Sequence, residues 1–124
     1  MTAIKESSTR NANKLQSVSA CPVSYLMNKI GGHWKPIILF QLMSGPKRYG
    51  DLKRNIPEVT EKMLIQHLKQ LQADDLITRH AEPVVPPHVT YKLSTRGESL
   101  KPVLNAMAVW GFGQTGRNAD GSPA

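Results

Sequence analysis

The segment TEKMLIQHLKQLQAD, from Thr60 to Asp74, is the feature that most constrains the fold. At about 100° per residue, one narrow face of this segment carries Leu64, Leu68 and Leu71. The opposite face carries Lys62, Gln66 and Lys69. Thr60 suits the N-cap, because its hydroxyl can accept a hydrogen bond from a free backbone N–H of the first turn. The segment therefore predicts a helix with one buried side and one polar, basic side.

A second helical segment, RYGDLKRNI, precedes it at residues 48–56. Leu52 and Ile56 are four residues apart and mark its buried side. The three residues from Pro57 to Val59 separate the two segments, and the proline cannot continue the first helix. Helix, short turn and helix is the arrangement of a helix-turn-helix, whose second helix lies in the major groove of DNA.

Two further helices are predicted upstream. The pattern PVSYLMNKI at 22–30 begins with a proline, which suits a first helical position, and ends at two glycines. The next pattern, WKPIILFQLM at 34–43, is apolar on almost every side. A helix that is apolar all round must be central in the fold, so we expect this one to lie in the core.

After Asp75 the apolar period changes from helical to alternating. The segments LITRHA (76–81) and VTYKLS (89–94) predict two strands, joined by a proline-rich connection that makes a long extended tip. A two-stranded hairpin directly after a recognition helix is a wing. A last helix is expected from Thr95, which has capping-box spacing with Glu98, and a kink is expected at Pro102.

Length and charge limit the domain organisation and the partner. A chain of 124 residues is enough for one domain, which we place at residues 18–112, with a disordered or frayed segment at 1–17 and a flexible tail at 113–124. A net charge of +7 favours an anionic partner, either nucleic acid or an acidic membrane surface. With no long apolar run, no secretory leader and a single cysteine, a cytoplasmic protein is expected.

Residues 21–77 and 85–111 together resemble the HxlR-type winged helix-turn-helix transcriptional regulators of bacteria. The resemblance implies an α+β, mainly helical fold with a two-stranded wing, and a homodimer joined through the terminal helices that represses or activates transcription. Asp75 stands where glycine often closes the recognition helix in this family, and aspartate can adopt a positive φ there. The motifs that carry the resemblance are Cys21-Pro22, Gly31-Gly32 before Trp34, Gly45 with Arg48-Tyr49, Lys62-Met63-Leu64, Leu68 with Leu71, Pro86-Pro87, Tyr91 and the turn from Thr95 to Gly97.

The predicted partner is double-stranded DNA with an imperfect palindrome, whose half-sites lie about one helical turn, roughly 34 Å, apart or a multiple of it. Gln66 is the best candidate to read a base edge, while Lys62 and Lys69 are expected to bind phosphates. Arg79, His88 and Lys92 of the wing can reach a flanking minor groove. The alternative is an ordinary solvated surface or, for His67, which projects nearer the core edge, a packing role alone. The residues expected at the DNA are Lys47, Arg48, Arg54, Thr60, Lys62, Gln66, His67, Lys69, Arg79 and His88.

The terminal helices have more apolar side chains than so small a domain can cover, which favours a symmetric dimer. The residues expected at its interface are Leu26, Leu100, Val103, Leu104, Met107 and Trp110. Trp34, Tyr25, Met107 and Trp110 can also line a ligand pocket, although aromatic side chains at helical spacing more often belong to a core.

Cys21 precedes a helix, where the helix dipole can stabilise a thiolate. The resemblance implies that Cys21 senses oxidants, quinones or other electrophiles, as the cysteine at this place does in several HxlR-type regulators. The alternative is a small apolar residue buried at the dimer seam, since no lysine or arginine lies near Cys21 in the sequence. Without a second cysteine, a resolving thiol must come from another subunit or a small molecule.

No constellation of residues predicts an enzyme. The chain has four scattered histidines, one cysteine and no glycine-rich phosphate loop, so we expect no catalytic residues, no metal site and no cofactor. The alternative to a specific regulator is a winged helix that binds another protein, or one that coats the nucleoid without sequence preference and without redox sensing.

Overall fold

The computed structural model describes residues 20–117. The disorder predicted for residues 1–17 and most of the tail predicted at 113–124 lie outside the described residues. The chain divides into two units between Gly32 and His33. The first unit contains α1, Pro22–Ile30, which has the predicted proline in its first turn and ends where the Gly31 N–H donates to the Met27 carbonyl over 2.7 Å.

The second unit is built around α2, Trp34–Leu42, which packs against three further helices and the sheet. Ile38, Leu39 and Leu42 are its buried residues, so the prediction of a central helix is confirmed. The remaining apolar side chains of α2 are partly exposed.

The helix-turn-helix consists of α3, Tyr49–Asn55, and α4, Glu61–Ala73. Ile56 and Val59 are buried in the turn between them. The backbone N–H of Met63 donates to the Thr60 hydroxyl over 3.1 Å, which confirms the predicted N-cap. The three leucines of α4, Leu64, Leu68 and Leu71, are all buried.

Asp75 closes α4 with φ 57°, as expected for the position where glycine is common. Its N–H donates to the Gln72 carbonyl over 3.1 Å, and the Leu76 N–H donates to the Leu71 carbonyl over 3.0 Å. These two bonds form a Schellman motif, which satisfies carbonyls at the end of the helix and turns the chain into the wing.

The wing consists of β2, Ile77–Glu82, and β3, His88–Leu93, which pair antiparallel from Ile77 opposite Leu93 to Glu82 opposite His88. Both strands lie within one residue of the predicted bounds. A third strand, β1, Lys47–Arg48, pairs with the other edge of β3 and was not predicted, because two residues cannot show an alternating pattern.

The last predicted helix is two helices, α5, Thr95–Glu98, and α6, Lys101–Thr115. The predicted capping box at Thr95 is wrong, since Ser94 is the N-cap and its hydroxyl accepts from the Gly97 N–H over 3.0 Å. The predicted kink at Pro102 is also wrong, because the proline lies in the first turn of α6, where its missing N–H costs no helical bond.

The end of α6 also differs from the sequence prediction. The helix continues to Thr115 and ends at Gly116, which has φ 66°. Residues 113–115, which the sequence assigned to the flexible tail, are therefore helical. The described chain is a mainly helical winged helix-turn-helix with a small antiparallel sheet and a long last helix.

Candidate nucleic-acid interface

The face of α4 opposite its leucines is fully available to a ligand. Lys62, Gln66 and Lys69 are all exposed along it, as the helical period predicted. Because the buried face is anchored by three leucines, the helix presents these polar groups on a fixed support. This arrangement suits contacts with an anionic, hydrogen-bonding surface such as the major groove of DNA.

A cavity of about 940 Å³ lies between α3, α4 and the wing, and we call it the wing cleft. It brings together side chains that are up to 43 positions apart in the sequence, counting from Arg48 to Tyr91. The basic residues that line it are Arg48, Arg54, Lys69, Arg79 and His88. Five of the ten residues expected at the DNA therefore share one concave surface.

The cations of the wing cleft are not equally free. The Arg54 guanidinium pairs with the Asp51 carboxylate, which also accepts a hydrogen bond from the Arg48 backbone N–H over 3.3 Å. The side chains of Arg48, Lys69 and Arg79 make no ion pair within residues 20–117. These three keep their full charge for an external anion, whereas the charge of Arg54 is partly compensated.

Tyr49 and Tyr91 also line the wing cleft. The Tyr49 hydroxyl oxygen is buried. Burial raises the pKa of this phenol above its ordinary value, and the nearby Glu61 carboxylate raises it further. Tyr49 is therefore neutral at physiological pH and adds no negative charge to a surface suited to phosphates.

Three residues of the predicted set are engaged elsewhere. The Lys47 ammonium donates to the Ser44 hydroxyl over 2.8 Å and does not line the cleft. The Thr60 hydroxyl accepts the capping hydrogen bond of α4, so its O–H donor and one lone pair remain for DNA. His67 differs most from the prediction, since both of its ring nitrogens are buried and cannot reach a base.

The environment of His67 is that of a packing residue. Burial lowers the pKa of its imidazole below 6.5, the Lys35 ammonium lowers it further, and the Gln70 side chain acts in the opposite sense. His67 is consequently neutral at pH 7 and lies on the flank of α4 that faces α2. Its position near the core edge follows from the helical period.

The sequence prediction missed several residues of the interface. Ile65 and Gln72 line the wing cleft beside Lys69. Ile65 lies four residues before Lys69 and Gln72 three residues after it, so the helical period already places all three on one flank of α4. Tyr49 was missed because its role depends on how α3 packs beside the wing. The pairing of Asp51 with Arg54, three residues away in the same helix, is a local signal that the sequence contained. At the tip of the wing, Val85 is 99% exposed.

The residues expected to join two subunits divide between core and surface. Leu104 is only 2% exposed and belongs to the core of the chain instead of an outer face. Leu26 and Leu100 are half-buried. Val103, Met107 and Trp110 are exposed along α6, and 71% of Trp110 is accessible.

Cys21 is the N-cap residue of α1 and is exposed. Its side chain makes no capping hydrogen bond.

Over residues 20–117, no helix is long and apolar enough to cross a membrane, and no group of three or more histidine, cysteine or acidic side chains is placed to hold a metal ion.

Comparison with known proteins identifies the family. Residues 29–119 match the HxlR-like helix-turn-helix family. The chain is 47% identical over 92 residues to the HTH-type transcriptional regulator YkvN of Bacillus subtilis strain 168, covering 74% of this chain and 78% of that relative. It is also similar to the solved structure of the redox regulator HypR in its oxidised form, with 36% identity, a TM-score of 0.73 and coverage of 75% of this chain and 96% of that chain.

The transcriptional regulator YodB from B. subtilis is a further structural relative. Its reduced form has 32% identity and a TM-score of 0.64, covering 74% of this chain and 91% of that chain, and a diamide-treated form is also similar. The matches agree with the winged helix-turn-helix described above and with a regulator instead of an enzyme. The chain belongs to the HxlR-like helix-turn-helix family of transcriptional regulators.

Proposed function

We propose that the protein is a homodimer that binds a specific, imperfectly palindromic DNA site, inserting α4 into the major groove and holding the flanking backbone in the wing cleft. The observation that supports this most is that Lys69 of α4 and Arg79 of β2 line the same cleft without an ion pair in the described chain. A regulator of this kind acts on the chromosome, in the cytoplasm of a bacterial cell.

Each exposed side chain of α4 has a separate role in this proposal. The Gln66 amide carries a donor and an acceptor on one plane, which matches the N6 and N7 edge of adenine. Lys62 and the cations of the wing cleft neutralise phosphates and release counterions, which sets affinity and salt dependence without reading sequence.

Two substitutions in α4 test these roles. Operator fragments are selected from genomic DNA, including the gene's own upstream region, and affinity is measured at two salt concentrations. Gln66→Ala should lower discrimination at one base pair by about 1–3 kcal/mol. Lys62→Ala should weaken all sequences alike and lower the salt slope by about 0.9. Lys101→Ala, a cation paired with Glu98 at the start of α6, is the matched control.

The same binding measurements distinguish the proposed regulator from a nonspecific nucleoid-binding protein and from a protein-interaction module. Binding that is uniform across fragments and disappears at the higher salt would indicate a nucleoid coat instead of a regulator. Normal regulation by a variant that lacks Lys62, Gln66 and Lys69 side chains would indicate a protein-interaction module.

The proposed dimer is formed by α6 and by Leu26 of α1. Val103, Met107 and Trp110 are exposed at spacings of four and three residues, which places them on one face of α6. Leu104 supports this face from the core. Trp110→Glu should give a monomer in sedimentation equilibrium, because a carboxylate cannot be buried unpaired at an apolar seam. Asn105→Glu, on another side of the same helix, should leave the dimer intact.

We further propose that Cys21 is a redox switch. Its exposure at the start of α1 and the likeness to HypR and YodB support this role. As the chain has one cysteine, the disulfide would join two subunits. Two Cys21 thiols would lose two protons and two electrons to diamide, which is reduced to its hydrazine, and the S–S bond forms between the two sulfur atoms.

Diamide treatment tests the switch. The parent protein should form a covalent dimer on a non-reducing gel and change its affinity for the operator, and dithiothreitol should reverse both. Cys21→Ser should bind the operator as the parent does and respond to neither reagent. An unchanged response in Cys21→Ser, or a covalent dimer with unaltered affinity, would exclude Cys21 as the switch.

A further inference from the structure

A second cavity lies in the unit that begins at His33, away from the cations described above. It occupies about 640 Å³ between α2, the turn of the helix-turn-helix and α6, and we call it the α2–α6 groove. This volume is within the range of roughly 300–1,000 Å³ that is usual for small-molecule sites. A molecule bound there would contact both the turn of the helix-turn-helix and the last helix.

Aromatic and thioether groups form the apolar part of the α2–α6 groove. The rings of His33 and Trp34 meet edge to face, with centroids 4.5 Å apart and an interplanar angle of 81°. Phe40 is half-buried along the same groove, and half of the Met107 surface is exposed there. A planar aromatic ring matches these partners, since it can stack on Trp34 and contact the Met107 sulfur.

The polar part of the groove is a pair of amides. The Asn55 side-chain N–H donates to the Gln41 side-chain carbonyl over 3.2 Å. This bond uses one of the four hydrogen-bonding positions of each amide, and it involves neither the N–H groups of Gln41 nor the carbonyl of Asn55. A ligand amide or phenol supplies the complementary donor and acceptor.

Charge selects against anions in this groove. Glu58 is the only lysine, arginine, aspartate or glutamate among its described lining residues. A carboxylate or phosphate placed beside it would meet a like charge and no cation. The lining therefore favours a neutral ligand.

We propose that the α2–α6 groove is a binding site for a neutral, planar aromatic small molecule that carries an amide or a phenol. The site shares Met107 with the proposed dimer face but does not depend on DNA binding, so its test is independent of the DNA-binding proposal. Its recognition elements are Trp34 for stacking, the amides of Gln41 and Asn55 for hydrogen bonds, and Glu58 for the exclusion of anions.

The test uses two probes of one shape, naphthalene-2-carboxamide and naphthalene-2-carboxylate. The chain has two tryptophans, so Trp110→Phe leaves Trp34 as the only one and its fluorescence reports on the groove. The carboxamide should quench Trp34 saturably with one site per chain. The carboxylate should bind at least about tenfold more weakly, because it lacks the donor and is repelled by Glu58.

Two variants in the same background assign the contacts. Gln41→Leu should weaken the carboxamide about tenfold, whereas Gln72→Leu, the same change in the wing cleft, should have no effect on this probe. Glu58→Gln should reduce the gap between the two probes several-fold. Thermal melts establish that each variant is folded. If Gln41→Leu does not fold, Glu58→Gln still tests the proposal.

Three results would overturn the proposal. Quenching that rises linearly with either probe would mean that Trp34 is only accessible to solvent. Equal affinities for the two probes would contradict the roles proposed for the two amides and for Glu58. Binding that disappears as the chain self-associates at higher concentration would show that a second copy covers the groove.

Discussion

The wing cleft and the α2–α6 groove are two cavities of the same unit with opposite chemistry. The wing cleft, about 940 Å³, is lined by four arginine or lysine side chains and one histidine, while the groove, about 640 Å³, contains amides and one carboxylate. A cluster of cations attracts phosphates over a distance, and a neutral groove discriminates by contact alone. One small fold thereby keeps a surface for a polyanion apart from a site that repels anions.

The two cavities also differ in how they are built. Residues from α3, α4 and all three strands reach the wing cleft, so its shape depends on the base of the wing. The groove is formed by helices and the turn between α3 and α4, and α2 packs directly against α6. Changes at the wing should therefore alter one cavity and leave the other unchanged.

The largest expected effect is the loss of charge in the wing cleft. The double variant Lys69→Ala, Arg79→Ala should weaken specific DNA binding by roughly a hundredfold and lower the salt slope by about 2, since two phosphate contacts are lost. Fluorescence anisotropy at several salt concentrations measures both quantities. A loss of the same size in Lys101→Ala would mean that net charge matters and that the cleft does not.

The next effect is steric and concerns the base of the wing. A Cβ at Gly97 would lie 2.0 Å from the Leu76 carbonyl oxygen, just before β2 begins. Gly97→Ala should lower the free energy of unfolding by about 1–3 kcal/mol, because backbone must move to admit the methyl group. Urea unfolding followed by circular dichroism gives this value, and an unchanged midpoint would contradict the packing at the wing.

Gly111 lies in α6, one of the helices that form the α2–α6 groove, and is the matched position for comparison with Gly97. A Cβ there meets no heavy atom within 4 Å. Gly111→Ala should raise the free energy of unfolding by about 0.5–1 kcal/mol, since alanine loses less backbone entropy in a helix. The same urea titration measures it. A destabilised variant would indicate that a second subunit lies against this position in the dimer.

The smallest effect is a pH dependence at His67, between α4 and α2. Its folded pKa is lowered from 6.5, so the unfolded chain takes up the proton first as pH falls. The contribution of neutral His67 to the free energy of unfolding is fully present above about pH 6.5. It decreases as the pH falls below this value, until His67 is also protonated in the folded state. His67→Leu should lose less stability between pH 7.5 and pH 5.5 than the parent, whereas His80→Gln, an exposed site, should lose as much. Equal losses in all three proteins would contradict the buried environment of His67.

Sequence periodicity was reliable wherever one face of a long element is buried. The three leucines of α4, the Thr60 cap, the alternation in β3 and the positive φ of Asp75 each follow from interactions within a few residues. The predictions of a capping box at Thr95 and a kink at Pro102 were wrong. The local sequence permits an N-cap at either Ser94 or Thr95, and it permits either one kinked helix or two separate helices. The choice of Ser94 depends on its hydroxyl, which donates to the Asp75 carbonyl over 2.6 Å, 19 positions away.

The sequence by itself determined the helix-turn-helix and the wing, since helical and strand periods, caps and turn residues act over short distances along the chain. Its motifs also carried the resemblance to the family. The tertiary structure decided which cations share a surface, that Lys69 and Arg79 lie in one cleft, and that the nitrogens of His67 are buried. It also formed the α2–α6 groove from residues 33 to 108. These features depend on how separate elements pack, and neither burial nor charge pairing between distant residues can be derived from a local pattern.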